Sequence, residues 1–182
     1  SRVAGDTKAS QWWTDIVVNL SAHFTLEEFT VSQDAARNGI DNTPDDDVIE
    51  NLKVTASGME QIRDLLGGSP IIINSGFRCE KLERRICDKS YRAWCARRGK
   101  PVNQDSWAEY FSRKAHPKGY SADWVSPAFG TPRECCIAVR DSGIKFDQLI
   151  YEFASWSHTS FDLRLRQEVL TIDNNGERQG IT

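Results

Sequence analysis

Two of the chain's three histidines lie in short segments that the fold must bring together if they act as one unit: His116-Pro117-Lys118-Gly119-Tyr120-Ser121-Ala122-Asp123 and Trp156-Ser157-His158. Tyr120 to Val125 and Trp156 to Phe161 both read as strands. In a strand alternate residues share a face, so Asp123 projects with Ser121 and Val125, and His158 with Trp156 and Ser160. If these strands pair, Asp123 and His158 converge, and Gly119 allows the sharp turn that brings His116 over them. Two imidazoles and a carboxylate complete the three-ligand set of a catalytic zinc, which keeps a fourth position for water. A histidine and an aspartate with six residues between them are a weak signal, and the spacing alone leaves a metal centre and a set of structural histidines both open.

The remaining patterns place helices first and strands later. Thr25 caps a helix start at Phe24 to Phe29, with Glu28 reaching back in a capping box, and His23 just before it reads as structural. Thr43, Pro44 and three aspartates open a longer helix whose apolar stripe runs from Val48 to Leu66 and stops at Gly67-Gly68. Pro70 to Asn74 is a short buried strand that delivers Ser75-Gly76-Phe77-Arg78 to its C-terminal end. Cys79 to Ser112 reads as two helical pieces broken at Gly99-Lys100-Pro101, with Asp105 a candidate cap for the second. Thr131 to Glu134 repeats the capping logic for a helix to about Asp141. Phe146 to Glu152 and Glu168 to Ile172 are strands, and Asn174-Asn175-Gly176 is a tight hairpin turn. The order predicts an α+β fold with an antiparallel sheet.

The 182 residues suffice for one domain, and with 39% hydrophobic residues and no low-complexity tract only Ser1 to Ser10 is expected to be loose. No apolar run approaches the roughly 20 residues of a membrane span. Ser1 in place of a Met leaves a lost leader open. A formal charge of −3 argues against general nucleic-acid binding, although Arg78 to Lys100 holds nine Lys/Arg against three Asp/Glu. That local excess suits either an anionic polymer or a solvated helix face. Five cysteines, Cys79, Cys87, Cys95, Cys135 and Cys136, leave at least one unpaired. A disulfide from the 79–95 segment to Cys135 or Cys136 and a set of buried reduced thiols are both compatible with the spacing.

Four motifs in one order carry a resemblance: Phe24-Thr25-Leu26-Glu27-Glu28-Phe29-Thr30, Ser75-Gly76-Phe77-Arg78, His-x-x-Gly-x-x-x-Asp at His116 to Asp123, and Trp-x-His-x-Ser at Trp156 to Ser160. Together they resemble the zinc D-Ala-D-Ala peptidase family over roughly His23 to Thr171, and within it the phage-type peptidoglycan peptidases. The resemblance implies a hedgehog/DD-peptidase-like α+β fold, with N-terminal helices packed on a small antiparallel sheet that carries the metal. It divides the chain into an N-terminal arm at 1–22 and a peptidase-like domain at 23–182. It also implies a zinc metallopeptidase of carboxypeptidase or endopeptidase type, acting on D-Ala-containing stem or cross-link peptides of peptidoglycan. The expected setting is a phage endolysin or virion-associated lysin working in the periplasm or at the bacterial wall, with other virion proteins as partners.

Position by position, the resemblance makes His116, Asp123 and His158 the ligands of Zn2+. It makes Arg78 the group that polarises the scissile carbonyl, a role its permanently charged fork suits. Glu152, six residues before His158, takes the place of the general base in the hedgehog-type arrangement, since Ser155 three before cannot act so. Asp147 is the fallback carboxylate and is expected to serve structure. The chain departs from the family between Arg78 and His116, where 37 residues replace a shorter link ending in Ser-x-His. Here the triplet is Lys114-Ala115-His116, and the helical insertion at about 79–112 is open to reading as a substrate wall or as a stabilising subdomain. A metal-stabilised binding protein of the same fold, without turnover, is the alternative function.

Overall fold

The computed structural model describes residues 17–182. Ser1 to Ser10, and most of the arm expected at 1–22, lie outside them. Helices α1 (Leu26–Thr30), α2 (Gln33–Arg37) and α3 (Asp46–Leu65) come first. The Thr25 capping box on α1 is present, with the Glu28 carboxylate accepting from the Thr25 N–H at 2.7 Å. His23 lies just before it and pairs through Nδ1 with Glu60 of α3 at 2.8 Å. At α3 the expected Thr43 cap is corrected: the Asp45 carboxylate accepts from the Val48 N–H at 2.8 Å, while Thr43 donates its own N–H to Asp41. A carboxylate already standing at the positive end of the helix displaces a hydroxyl two residues further out.

Strand β1 (Ile72–Ser75) is followed by α4 (Glu80–Arg97) and α5 (Gln104–Ser112). Asn103, not Asp105, caps α5 by accepting from the Ser106 N–H at 3.0 Å, which leaves Asp105 in the first turn. The two helices enclose their own apolar cluster of Cys87, Tyr91, Trp94, Cys95, Trp107 and Tyr110. Tyr91 meets Trp107 edge to face at 5.2 Å, a favourable quadrupole arrangement. After one 3₁₀ turn come β2 (Ser121–Val125), α6 (Pro132–Asp141), β3 (Gln148–Glu152), β4 (Trp156–Ser160), β5 (Glu168–Asp173) and β6 (Gly176–Gln179).

The six strands form one sheet in the order β1-β2-β4-β3-β5-β6. It is not wholly antiparallel as expected, because β5 pairs with β3 in parallel. Ser160 at the end of β4 and Glu168 at the start of β5 both lie opposite Gln148. The chain therefore leaves β4, steps over β3 and starts again from the same end, which makes the new strand parallel to β3. Asp147, with its side chain only 1% exposed, holds this crossing through Arg166 Nη2 at 2.7 Å and Nε at 2.8 Å. The Arg166 backbone N–H adds a third bond to the same carboxylate.

On one face of the sheet Ala122, Trp124 and Leu149 join the main core with Leu52, Met59 and Ile62 of α3 and Cys135, Cys136 and Val139 of α6. By alternation the other face carries Ser121, Asp123, Ile150, Glu152, Trp156 and His158. All five cysteines are free and four are buried, so the disulfide considered from the sequence is not formed. Cys87 and Cys95 sit in the α4/α5 cluster, whereas Cys135 and Cys136 belong to the main core.

Candidate metal centre

Asp123 and His158 are register partners on the adjacent central strands β2 and β4. His116 reaches them from the 3₁₀ turn His116–Lys118, which Gly119 ends at φ 77°. That turn is clamped to α3: Thr55 Oγ1 donates to the Gly119 carbonyl at 2.7 Å, and Asn51 Nδ2 donates to the Lys118 carbonyl at 2.9 Å. A Cβ at Gly119 would stand 2.8 Å from the Val48 carbonyl oxygen, so this approach requires glycine for space as well as for its backbone angle.

One ligand atom from each of His116, Asp123 and His158 lies within 4.8 Å of the other two, and all three residues are buried. Asp123 Oδ1 is 3.3 Å from His116 Nε2 and 2.8 Å from His158 Nδ1. His116 Nδ1 lies 2.6 Å from the Gly76 carbonyl oxygen, to which it can only donate. Nδ1 is therefore the donor in this contact, and Nε2 is turned towards the cluster. Gly76 itself presses on α1, since a Cβ there would lie 2.5 Å from the Phe29 carbonyl oxygen. Nitrogen and oxygen donors around one point, with an imidazole oriented by a backbone carbonyl behind it, fit a zinc ion.

Burial alone would raise the Asp123 carboxyl, but the charge and hydrogen bonds of His116 and His158 outweigh it and hold the group well below the usual carboxylate range. Burial would likewise lower His158, and Asp123 reverses that to leave it above an ordinary histidine.

Arg78 stands directly behind Asp123. Its Nη2 donates to Asp123 Oδ2 at 2.6 Å, Nη1 to Glu83 Oε2 at 3.2 Å and Nε to Ser75 Oγ at 2.9 Å. Burial works against its charge, and Asp123 and Glu83 overcome this to raise its pKa further. Glu152 ends β3 opposite Trp156, on the His158 face, and accepts from Trp156 Nε1 at 2.6 Å through Oε2. Its charge contributes to the raised pKa of His158. Ser155 lies in the turn and bonds the Phe153 carbonyl. The structure thus brings His116, Asp123, His158 and Arg78 together at the middle of β2 and β4, with Glu152 on the same face of the sheet at the end of β3, while Asp147 is committed to the arginines of the β4–β5 crossing.

Sequence reading passed over Glu83 and Lys114. Glu83 is 1% exposed and ion-paired with Arg78, although the charge count left its segment open to reading as a polymer-binding or a solvated basic face. Its spacing carried the signal, because Glu83, Cys87, Tyr91 and Trp94 follow one another at helical intervals along the buried side of α4. Lys114 places its ammonium 4.3 Å from the centre of the Tyr110 ring, two residues before His116.

The family described as Peptidase M15 matches the chain over residues 22–90, a span that includes Ser75 to Arg78 and ends before His116. This supports a relationship to the zinc D-Ala-D-Ala peptidase family and, with it, a peptidase. No curated protein matches the chain.

Proposed function

We propose, from the relationship to the M15 peptidases and the buried His116–Asp123–His158 cluster, that the protein is a zinc metallopeptidase hydrolysing D-Ala-containing peptides of bacterial peptidoglycan. The setting is that of the phage-type members it resembles, as an endolysin or virion-associated lysin. The observation that carries the reading is the convergence of the three donors with His116 already oriented by the Gly76 carbonyl.

A zinc ion held by these three residues supplies Lewis acidity to a peptide carbonyl and lowers the pKa of water in the site. Glu152 Oε2 is occupied by the Trp156 indole, so Oε1 is the atom that takes the proton from the attacking water and returns it to the leaving amine. Arg78 has one further N–H on each Nη beyond its bonds to Glu83 and Asp123, and these supply the cation beside the developing oxyanion. The 2.6 Å bond from Trp156 sets the direction of the Glu152 carboxylate, while the sheet register fixes its distance from His158.

Incubating the zinc-loaded protein with purified peptidoglycan, with and without a chelator, and weighing the soluble fragments tests the reading. Release of peptide fragments that stops on chelation is expected, and the masses identify the bond. A zinc-loaded protein that releases nothing, or release that a chelator leaves unchanged, would refute it.

A further inference from the structure

Glu83 is a buried carboxylate on a helix whose other inward side chains include Leu82, Cys87, Tyr91, Trp94 and Cys95. A buried ion pair seldom outperforms apolar side chains of the same size in stabilising a fold, so packing α4 does not account for a charge at this position. Both of its oxygens are engaged. Oε2 accepts from Arg78 Nη1 at 3.2 Å, and Oε1 accepts from the Cys87 thiol at 3.0 Å. Burial would raise its pKa, but Arg78 and then His116 outweigh this and keep it ionised.

The guanidinium is planar, so fixing two of its nitrogens fixes the third. Ser75 holds Nε and Glu83 holds Nη1, which leaves Nη2 aimed at Asp123 Oδ2. Asp123 is thereby divided by function: Oδ2 faces the arginine, and Oδ1 faces both imidazoles.

We propose that Glu83 is a positioning residue, the outer end of a relay Glu83–Arg78–Asp123 in which the helix α4 orients a metal ligand. The proposal rests on the zinc reading of the site. It gives the segment between Arg78 and His116 a definite task, because the carboxylate that sets the arginine is delivered by its first helix.

Zinc affinity of the full-length chain, measured by competition with a chromophoric chelator, tests the relay without requiring any peptide to be cut. Removing an outer partner of a metal ligand typically costs about 10- to 100-fold in metal affinity, so Glu83→Ala is expected to bind zinc about tenfold more weakly. Glu83→Gln can still accept from Arg78 through its carbonyl oxygen while its amide faces the cysteine sulfur, and is expected to stay within about threefold of the parent. Because Glu83 acts through Arg78, the double variant Glu83→Ala/Arg78→Ala is expected to bind no more weakly than Arg78→Ala alone. If Glu83→Ala does not fold, Glu83→Leu fills the space without an acceptor and replaces it in the cycle.

Parental affinity in Glu83→Ala, or the same tenfold loss added on the Arg78→Ala background, would overturn the relay. A parent protein that takes up no zinc would instead overturn the metal reading on which the relay rests.

Discussion

Replacing Gly119 by alanine probes the clamp that carries His116. At φ 77° an added Cβ enters the left-handed region, at a cost of about 1 to 2 kcal/mol. The same Cβ would stand 2.8 Å from the Val48 carbonyl oxygen and 3.2 Å from Leu52 Cγ. The carbonyl belongs to the α3 backbone and cannot swing aside as a side-chain tip can, so relieving the overlap adds about 1 to 3 kcal/mol. Together these give a loss near 3 kcal/mol, or a fall in Tm of about 6 to 12 °C for a chain of this size. Gly99→Ala is the matched control, since its φ of 61° carries the same kind of backbone cost while nothing lies within 4 Å of the new Cβ. Urea unfolding of both variants, with chelator present so that metal binding does not enter, gives midpoints and slopes for comparison. A Gly119→Ala protein no less stable than Gly99→Ala would show that α3 does not press on this turn.

His116→Ala should lose zinc, read directly by metal analysis, whereas Glu152→Gln should retain zinc and lose turnover by at least about 10²-fold. A Glu152→Gln protein cutting at the parental rate would remove Glu152 from the mechanism. Asp147 is buried, which would raise its pKa, but the hydrogen bonds and charge of Arg166 outweigh this and leave it lowered. Its stabilisation is therefore complete above the unfolded carboxyl pKa of about 3.9 and is lost as pH falls through the lower folded value. Asp147→Asn should lower stability near neutral pH by about 1 to 3 kcal/mol and flatten the acid limb of a stability–pH profile; an unchanged limb would contradict this. Trp107 is fully buried between α4 and α5, and its Nε1 donates to Glu80 at 2.7 Å, so Trp107→Ala should cost about 3 to 5 kcal/mol in thermal or urea unfolding.

The pairing of Asp123 with His158 was legible only in part: alternation fixes which residues share a face within each strand, while the register of β2 on β4 is what sets the two opposite each other. Capping was legible at α1 and α6, where a Thr stands three residues before a Glu. It was misread at α3 and α5, where two polar side chains compete for the same N–H groups and three-dimensional reach decides between Asp45 and Thr43, or Asn103 and Asp105. The parallel placement of β5 left no local trace, since it depends on where a seven-residue connection crosses the sheet. Glu83 was hidden for a related reason. A composition count weighs every charge alike; the spacing of Glu83 with Cys87, Tyr91 and Trp94 marks the buried side of α4, and the partner Arg78, outside the helix, is what a carboxylate there pairs with.

Joining Asp123 to His158 across the sheet also ties the candidate metal site to the order of assembly. The two residues are 35 positions apart and come together only when β2 and β4 are side by side, so an unpaired chain has no preformed site. In the zinc enzyme proposed above, capture of the ion would then be a late event in folding, and the ion would act as a latch that slows unfolding more than it speeds the search for the native pairing.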